Sequence, residues 1–578
     1  MPAAVTLFFA LIILYSLIVV EALLVWIAWQ SARENPHRGR RWFESAERWL
    51  GKMAARKGRA ALAVGALALG VRALLFPLLP VREPVITDEF SYLLGADTFA
   101  SGRLSNPQHP MWKHFETIHV LSAPTYMSMY QPAQGLVLAA GIRIAGHPWF
   151  GVYLSAGLMC AAICWMLQGW LPPRWALLGG LLAVLRIGLF GYWMNSYWGG
   201  APAAIGGSLV LGALPRLMRR LQIRHALVMG LGAAILAASR PYEGGATCLG
   251  AGLVLLGWMF GKQRRPFMPF LTRFLLPMAV VLMVTGVGLS YFYYRVTGSP
   301  FRLPEQIQLQ GKPAAAPIFL WQRGRPSQEF RHSSMHGYYA VWEVDEVIPE
   351  LKSAAGLAWN ALKKLITAWL FFLGPALTLP LLFLPRMLKY DRRMRALAVV
   401  AGVTIFAIAI DAWFYPHYAA PVTALIFAFV AQGMRHLRLW RRRRGTGLRL
   451  ARAVPAICVV MIAVRLAAQP LHVLFPPAWP MTWYHTPAGN VARAEVLARL
   501  NAMDGKHLAI VRYRPDHNAV MNEWVYNRAD IDGAKVVWAH EMDAAANREL
   551  IEYFRGRRAW LVEADESPPR LSPFPVQP

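Results

Sequence analysis

The sequence predicts a mostly α-helical protein: a polytopic transmembrane bundle of about twelve spans, with surface helices on its external loops and a small C-terminal α/β domain. Three observations carry this reading. The 578 residues are 56% hydrophobic with a mean hydropathy of +0.34, which is not the balance of a soluble multidomain chain. Apolar runs recur, each near the roughly 20 residues that a helix needs to cross the hydrocarbon core. The last 94 residues change character, from apolar runs to short β-branched and aromatic stretches interleaved with helical ones.

Charge orients the bundle. The formal net charge is +29, and residues 1–484 hold 48 Lys and Arg against 18 Asp and Glu, whereas residues 485–578 hold 12 against 13. The connectors assigned inside carry 31 basic residues and the two long loops assigned outside carry 11, which is the positive-inside pattern. The excess charge is therefore topological, and no nucleic-acid partner is implied. The four cysteines all fall in predicted spans, so no disulfide framework is implied. Cys160 and Cys164, four apart on one helix face, read as a packed pair.

Element by element, residues 1–59 supply a first span (5–29), read as retained rather than cleaved, and a basic cytoplasmic connector. Residues 60–484 form the main membrane domain. Its spans are expected at 60–79, 150–170, 174–193, 201–217, 225–239, 243–261, 271–293, 360–385, 396–413, 418–436 and 451–468. The external loops are 80–149 and 295–359, and both termini lie outside. A Pro-rich stretch, "QPLHVLFPPAWP", tethers the domain 485–578, where "HLAIVRY", "AKVVWAHE" and "RAWLVEA" read as strands. The Arg- and Ala-rich composition associates the chain with a bacterial inner membrane and a periplasmic outer side.

The first external loop opens "PVITDEFSYLLGADTFASG". Thr87 suits an N-cap, Asp88 and Glu89 suit the first turn of a helix, and Gly102 suits its end. Capping accounts for one acid. It does not account for the next stretch, "NPQHPMWKHFETIHV", which adds His109, His114, Glu116 and His119, or for "YMSMYQPAQG" after it. Acids, histidines and aromatics at one membrane interface suit a general base acting on a lipid-linked substrate.

These residues resemble a family. An acidic pair starting a surface helix in the first long external loop, followed by an aromatic-Pro stretch ("MYQPAQGLVLAAG"), is similar to the GT-C superfamily of polytopic glycosyltransferases, which includes bacterial aminoarabinose transferases and protein O-mannosyltransferases. "ASRPYEGG" and "DAWFYPHYAAP" resemble further family elements, and the resemblance covers about residues 60–440. It implies a membrane glycosyltransferase that moves a sugar from a polyprenyl-phosphate donor to a hydroxyl of a lipid, glycan or protein acceptor. It also implies Asp88 as the base that accepts or positions the acceptor's proton, with Glu89 in support. Some relatives carry an acid in the "MYQPA" stretch that can bind a divalent metal. Here Met129 and Gln131 stand there, so the resemblance gives a metal little support and no cofactor is assigned.

Arginine inside a span is costly enough to be a functional candidate, and its planar fork fits a phosphate. Arg72, Arg186 and Arg240, with His417, are the candidates for the donor phosphate. Arg72 can also snorkel, Arg240 can also pair with Glu243, and Glu21 reads as helix packing without an evident partner. Candidate substrate contacts are Tyr92, His114, Glu116, Tyr130, Gln131, Asn195, Tyr242, Glu243, Tyr415 and Tyr418, although an interfacial aromatic belt accounts for some of these equally well. His332, His336, Tyr338 and Tyr339 are weighed as a lid, and Asp516, His517 and Asn518 as acceptor contacts against an ordinary polar loop. Without a Walker loop or a nucleotide fingerprint, an ATP-driven pump is disfavoured. The rival classes are a lipid or solute transporter or flippase, and a noncatalytic scaffold presenting the C-terminal domain.

Overall fold

The computed structural model describes residues 15–34, 40–261, 266–310, 316–323, 329–440, 445–473, 481–485 and 489–575. The start of the first span, parts of three basic connectors, parts of the second loop and most of the Pro-rich tether lie outside these residues. The described chain is mostly helical. Eight of its helical segments are long and apolar enough to cross a membrane: Ser16–Glu34, Trp149–Trp170, Ala201–Arg219, Phe267–Thr297, Ala354–Leu381, Arg392–Ile410, Pro416–Arg438 and Thr446–Ala468. The other four expected spans coincide with helices that are not among these eight, at Lys57–Leu74, Pro173–Ile187, Ile223–Ser239 and Pro241–Met259. Length and composition thus support eight spans, and the count of twelve remains an expectation.

The bundle is centred on Trp149–Trp170, which packs on Lys57–Leu74, Pro173–Ile187 and Ala201–Arg219. Cys160 and Cys164 are buried there as free thiols. Glu21 has a partner after all: its Oε2 lies 3.1 Å from Arg186 Nη1, and its Oε1 accepts from the Ala376 N–H at 3.1 Å. The Arg186 guanidinium also lies 4.7 Å from the Trp483 ring centroid. The first helix is therefore pinned to the bundle by a buried ion pair between residues 165 positions apart.

Both long loops lie at one end of the bundle. The first carries helices Thr87–Ala100 and Pro132–Ala145 and a small antiparallel sheet ordered Asn106–Pro107, Thr125–Ser128, Val120–Leu121. The first of these helices ends as expected, with Gly102 at φ 77°. Its start differs from the expectation: Ile86, not Thr87, is the N-cap, and the Glu89 carboxylate folds back onto the preceding backbone. The second loop contributes Pro304–Gln310 and a helical stretch Ser333–Leu351, wound as a π-helix over Gly337–Val347.

In the C-terminal domain three parallel strands and one antiparallel edge strand follow the order Val536–His540, His507–Arg512, Arg558–Glu563, Arg570–Pro573. This domain shares a hydrophobic core with the first loop, in which Phe90, Leu94, Phe115 and Tyr126 pack with Leu508, Ile510 and Tyr526. Phe90 stacks on Tyr526 with centroids 4.4 Å apart and planes 1° from parallel. Asp97 holds Arg528 at 3.1 Å and accepts from the Ala529 N–H at 2.9 Å. The helix Thr87–Ala100 is thus clamped between bundle and domain, which fixes the direction of its first turn.

Candidate active site

The first turn of Thr87–Ala100 separates its two acids. Neighbours on a helix diverge by about 100°, so one carboxylate turns inward and the other does not. Glu89 is buried (2% exposed) and fully used: Oε2 accepts from the Val85 and Ile86 N–H groups at 3.0 and 3.1 Å, and Oε1 accepts from the Tyr197 N–H at 3.0 Å. Burial raises its pKa against these three N–H donors. Its place is structural, tying the helix start to the segment at Tyr197.

Asp88 faces open space. Its Oδ1 accepts from the Tyr130 hydroxyl, and its Oδ2 lies 3.6 Å from His119 Nδ1. His119 sits at φ 61°, and its ring meets Thr87 Oγ1 at 3.0 Å and the Tyr338 hydroxyl at 3.3 Å. Its N–H and C=O are tied to the Tyr339 and Ser91 hydroxyls at 3.3 and 2.6 Å. A short helix, a strand pair and the second loop therefore converge to hold one carboxylate.

Two cavities meet at this carboxylate. The first, about 480 Å³, is lined by Asp88, Tyr92, Tyr130, Gln131, Arg240, Tyr242, Glu243, Tyr415, His417 and Tyr418, all of them read from the sequence as site residues. The second, about 520 Å³, is lined by Asp88, Lys363, Lys364, Trp413 and Tyr415 among others. Asp88, Trp198, Tyr338, Trp342, Trp413 and Tyr415 line both, so they form the wall between them.

The first cavity sets charged and hydrogen-bonding side chains among aromatic walls. Arg240 lies 3.6 Å from Glu243 and has its guanidinium 4.4 Å from the Tyr418 ring centroid. His417 Nδ1 meets the Tyr192 hydroxyl at 2.8 Å, and its ring stacks on Tyr415. Gln131 accepts from the Tyr293 hydroxyl at 2.7 Å, and the Tyr242 hydroxyl donates to the Ala407 carbonyl at 2.9 Å. Glu305 and Glu343 add two carboxyls. Burial raises both, and with the Asp88 charge nearby Glu343 is pushed up to about 8, so at neutral pH it is protonated and can donate. Among the described residues no three His, Cys, Asp or Glu side chains group to hold a metal ion.

Besides Glu89, five candidates lie elsewhere. Arg72 is fully buried, with Nε donating to Asn195 Oδ1 at 2.9 Å and its guanidinium over Trp149. Asn195 in turn donates to the Leu189 carbonyl at 2.8 Å. Arg186 is paired with Glu21 as described above. His114 Nδ1 meets the His540 carbonyl at 3.1 Å at the contact between the first loop and the C-terminal domain, and Glu116 pairs with Arg331 of the second loop at 2.5 Å. None of the five lines either cavity. Conversely, Trp198, Glu305, Trp342 and Glu343 line the first cavity without a sequence assignment. Trp198 stands in the aromatic stretch "YWMNSYWGG" that also holds Asn195, whereas the two glutamates carry no local pattern that marks them.

No family model matches the chain, and no curated protein matches it. Among solved structures it is similar to the Archaeoglobus fulgidus oligosaccharyltransferase in the apo form, at 11% identity and TM-score 0.47, over 87% of this chain and 69% of that one. It is also similar to ArnT from Cupriavidus metallidurans bound to undecaprenyl phosphate, at 15% identity and TM-score 0.46, over 87% of this chain and 93% of that one. With TM-scores below 0.5, these likenesses carry no chemistry over to this chain.

Proposed function

We propose that this protein is a membrane glycosyltransferase that moves a sugar from a polyprenyl-phosphate donor to a hydroxyl of a lipid, glycan or protein acceptor, with inversion at the anomeric carbon. The observation that carries the reading is the position of Asp88, a carboxylate oriented by Tyr130 and His119 in the wall between two cavities. Such a wall lets one substrate approach from each side. The acceptor oxygen attacks the anomeric carbon as its proton passes to Asp88 Oδ2. The bond from that carbon to the phosphate oxygen breaks, and its electron pair leaves with the phosphate. Attack from the face opposite the leaving group inverts the centre.

In this reading the donor occupies the 480 Å³ cavity. Arg240 supplies the countercharge for the departing phosphate, and His417 a further polar contact. Glu343, protonated at neutral pH, offers a hydrogen bond to a sugar hydroxyl without adding charge, and Glu305, its carboxyl raised by burial, lines the same cavity. Tyr92, Tyr415, Tyr418 and Trp198 supply ring faces for the sugar's apolar side. Because a lipid-linked donor is confined to the bilayer, much of the cost of encounter is already met.

The test compares lipid-linked and envelope glycans by mass spectrometry in cells with the wild-type protein, without it, and with Asp88→Asn. Loss of the protein should remove one sugar from an envelope acceptor and leave a polyprenyl-phosphate-linked sugar to accumulate. The Asp88→Asn cells should match the cells without the protein. A full acceptor signal in those cells would rule Asp88 out as the base.

A further inference from the structure

The second cavity continues outward beyond the membrane helices. It shares Trp342, Val520 and Met521 with a third cavity, of about 570 Å³, which opens between the stretch Ser333–Trp342 and residues 514–521 of the C-terminal domain. The loop after the strand His507–Arg512 forms one side of it. That strand is flanked by the parallel strands Val536–His540 and Arg558–Glu563, which follow it in sequence and lie on opposite sides. The carboxyl end of the strand is therefore a topological switch point, where open parallel sheets take ligands.

His517 gives this place its chemistry. Its side chain is 3% exposed, its Nδ1 lies 2.7 Å from Asp565 Oδ1, and its ring stacks on Tyr513 with centroids 3.9 Å apart. Asp565 also accepts from the Arg514 N–H at 2.9 Å, which locks the loop in place. His517 lines the cavity, yet its Nε2 is buried without a hydrogen-bond partner. A buried polar atom left so is costly unless a ligand completes it. In the neutral tautomer that keeps its proton on Nδ1, toward the carboxylate, Nε2 presents a lone pair and seeks a neutral O–H or N–H donor.

The rim narrows the class. Arg514 and Asp516 pair at 3.2 Å and cancel in charge. Asn518 adds an amide, and Trp342 adds a ring face. A phosphate or carboxylate would set its own lone pairs against Nε2, whereas hydroxyls around an apolar sugar face suit both the imidazole and the ring. We infer that the third cavity binds saccharide units of the acceptor, so that the hydroxyl presented to Asp88 belongs to a glycan whose neighbouring units rest against His517 and Trp342. The inference rests on the transfer reading of Asp88 for the word acceptor, but not for the binding itself.

The test is binding of neutral oligosaccharides of two to six units (gluco-, manno-, galacto- and arabino-series) to the full-length protein in lipid nanodiscs, measured by native mass spectrometry. A neutral hexapeptide and inorganic phosphate serve as contrasts. At least one oligosaccharide series should bind wild type and Asp88→Asn alike and weaken roughly three- to tenfold in His517→Ala, the loss expected for one hydrogen bond. If His517→Ala does not fold, Asn518→Ala, on the exposed rim, should weaken the same series while losing only its cap on the Met521 N–H, a small drop in melting temperature. Binding indifferent to the variant tested, His517-dependent binding of the peptide or phosphate instead, or no oligosaccharide binding to wild type would each overturn the inference. Because Asp88→Asn retains the binding signal, failure of the transfer reading and failure of this site are told apart.

Discussion

Two regions of the bundle each hold an arginine–glutamate pair. Glu21 and Arg186 meet at 3.1 Å with side chains 1% and 3% exposed, roofed by Trp483 and braced by the Ala376 N–H. Arg240 and Glu243 meet at 3.6 Å, with Arg240 20% exposed, in the wall of the 480 Å³ cavity beside Asp88. The chemistry of the partners is the same. What differs is access: the first pair is sealed by the protein that surrounds it, and the second is open on one side to whatever enters the cavity. A sealed pair can serve only the fold, whereas an open one can also be reached by a ligand.

The largest expected effect comes from breaking the sealed pair. Glu21→Ala leaves Arg186 buried without its countercharge, so stability should fall by about 3 to 5 kcal/mol, read as a lowered melting temperature in detergent, with turnover per folded molecule unchanged. Gly374→Ala attacks the same pair from the other side. Gly374 has φ 59° and ψ −174°, a region nearly closed to other residues, and a Cβ there would lie 1.8 Å from Arg186 Nη2. Strain alone should cost about 1 to 3 kcal/mol, again with turnover spared.

The open pair should respond the other way. Arg240→Gln removes a charge-assisted contact to phosphate worth about 1.5 to 3 kcal/mol, so kcat/KM should fall roughly 10- to 100-fold while the melting temperature moves little. A smaller effect is set by pH. Glu343 is neutral below about 8 and ionises above it, which places a second negative charge near Asp88 and against the donor phosphate. In wild type kcat/KM should therefore decline as pH rises through about 8, and Glu343→Gln should flatten that limb in a pH–rate profile.

Much of the fold was legible because spans are written locally, in runs of apolar residues between basic connectors. Helices appear at each expected span, although length and composition support a crossing for only eight of them. The site was legible in part for the same reason. Asp88, Tyr130, Arg240, Glu243, Tyr415 and His417 stand in short quotable stretches, and the fold brings those stretches to one cavity. Pairing is not local, and there the sequence falls short. Nothing near Glu21 points to a residue 165 positions away, and Arg72 finds Asn195 only across packed helices. Asp88 and Glu89 are chemically alike and adjacent. Their roles separate only when one meets three backbone N–H groups and the other meets Tyr130 and His119.

That separation leaves Asp88 alone to act as the base. The most direct measurement is the single-turnover transfer rate of the purified Asp88→Asn protein, supplied with lipid-linked donor and acceptor, alongside its melting temperature. A base in the cavity wall predicts a rate lower by roughly 10²- to 10⁴-fold at an unchanged melting temperature. A rate within twofold of wild type would contradict it.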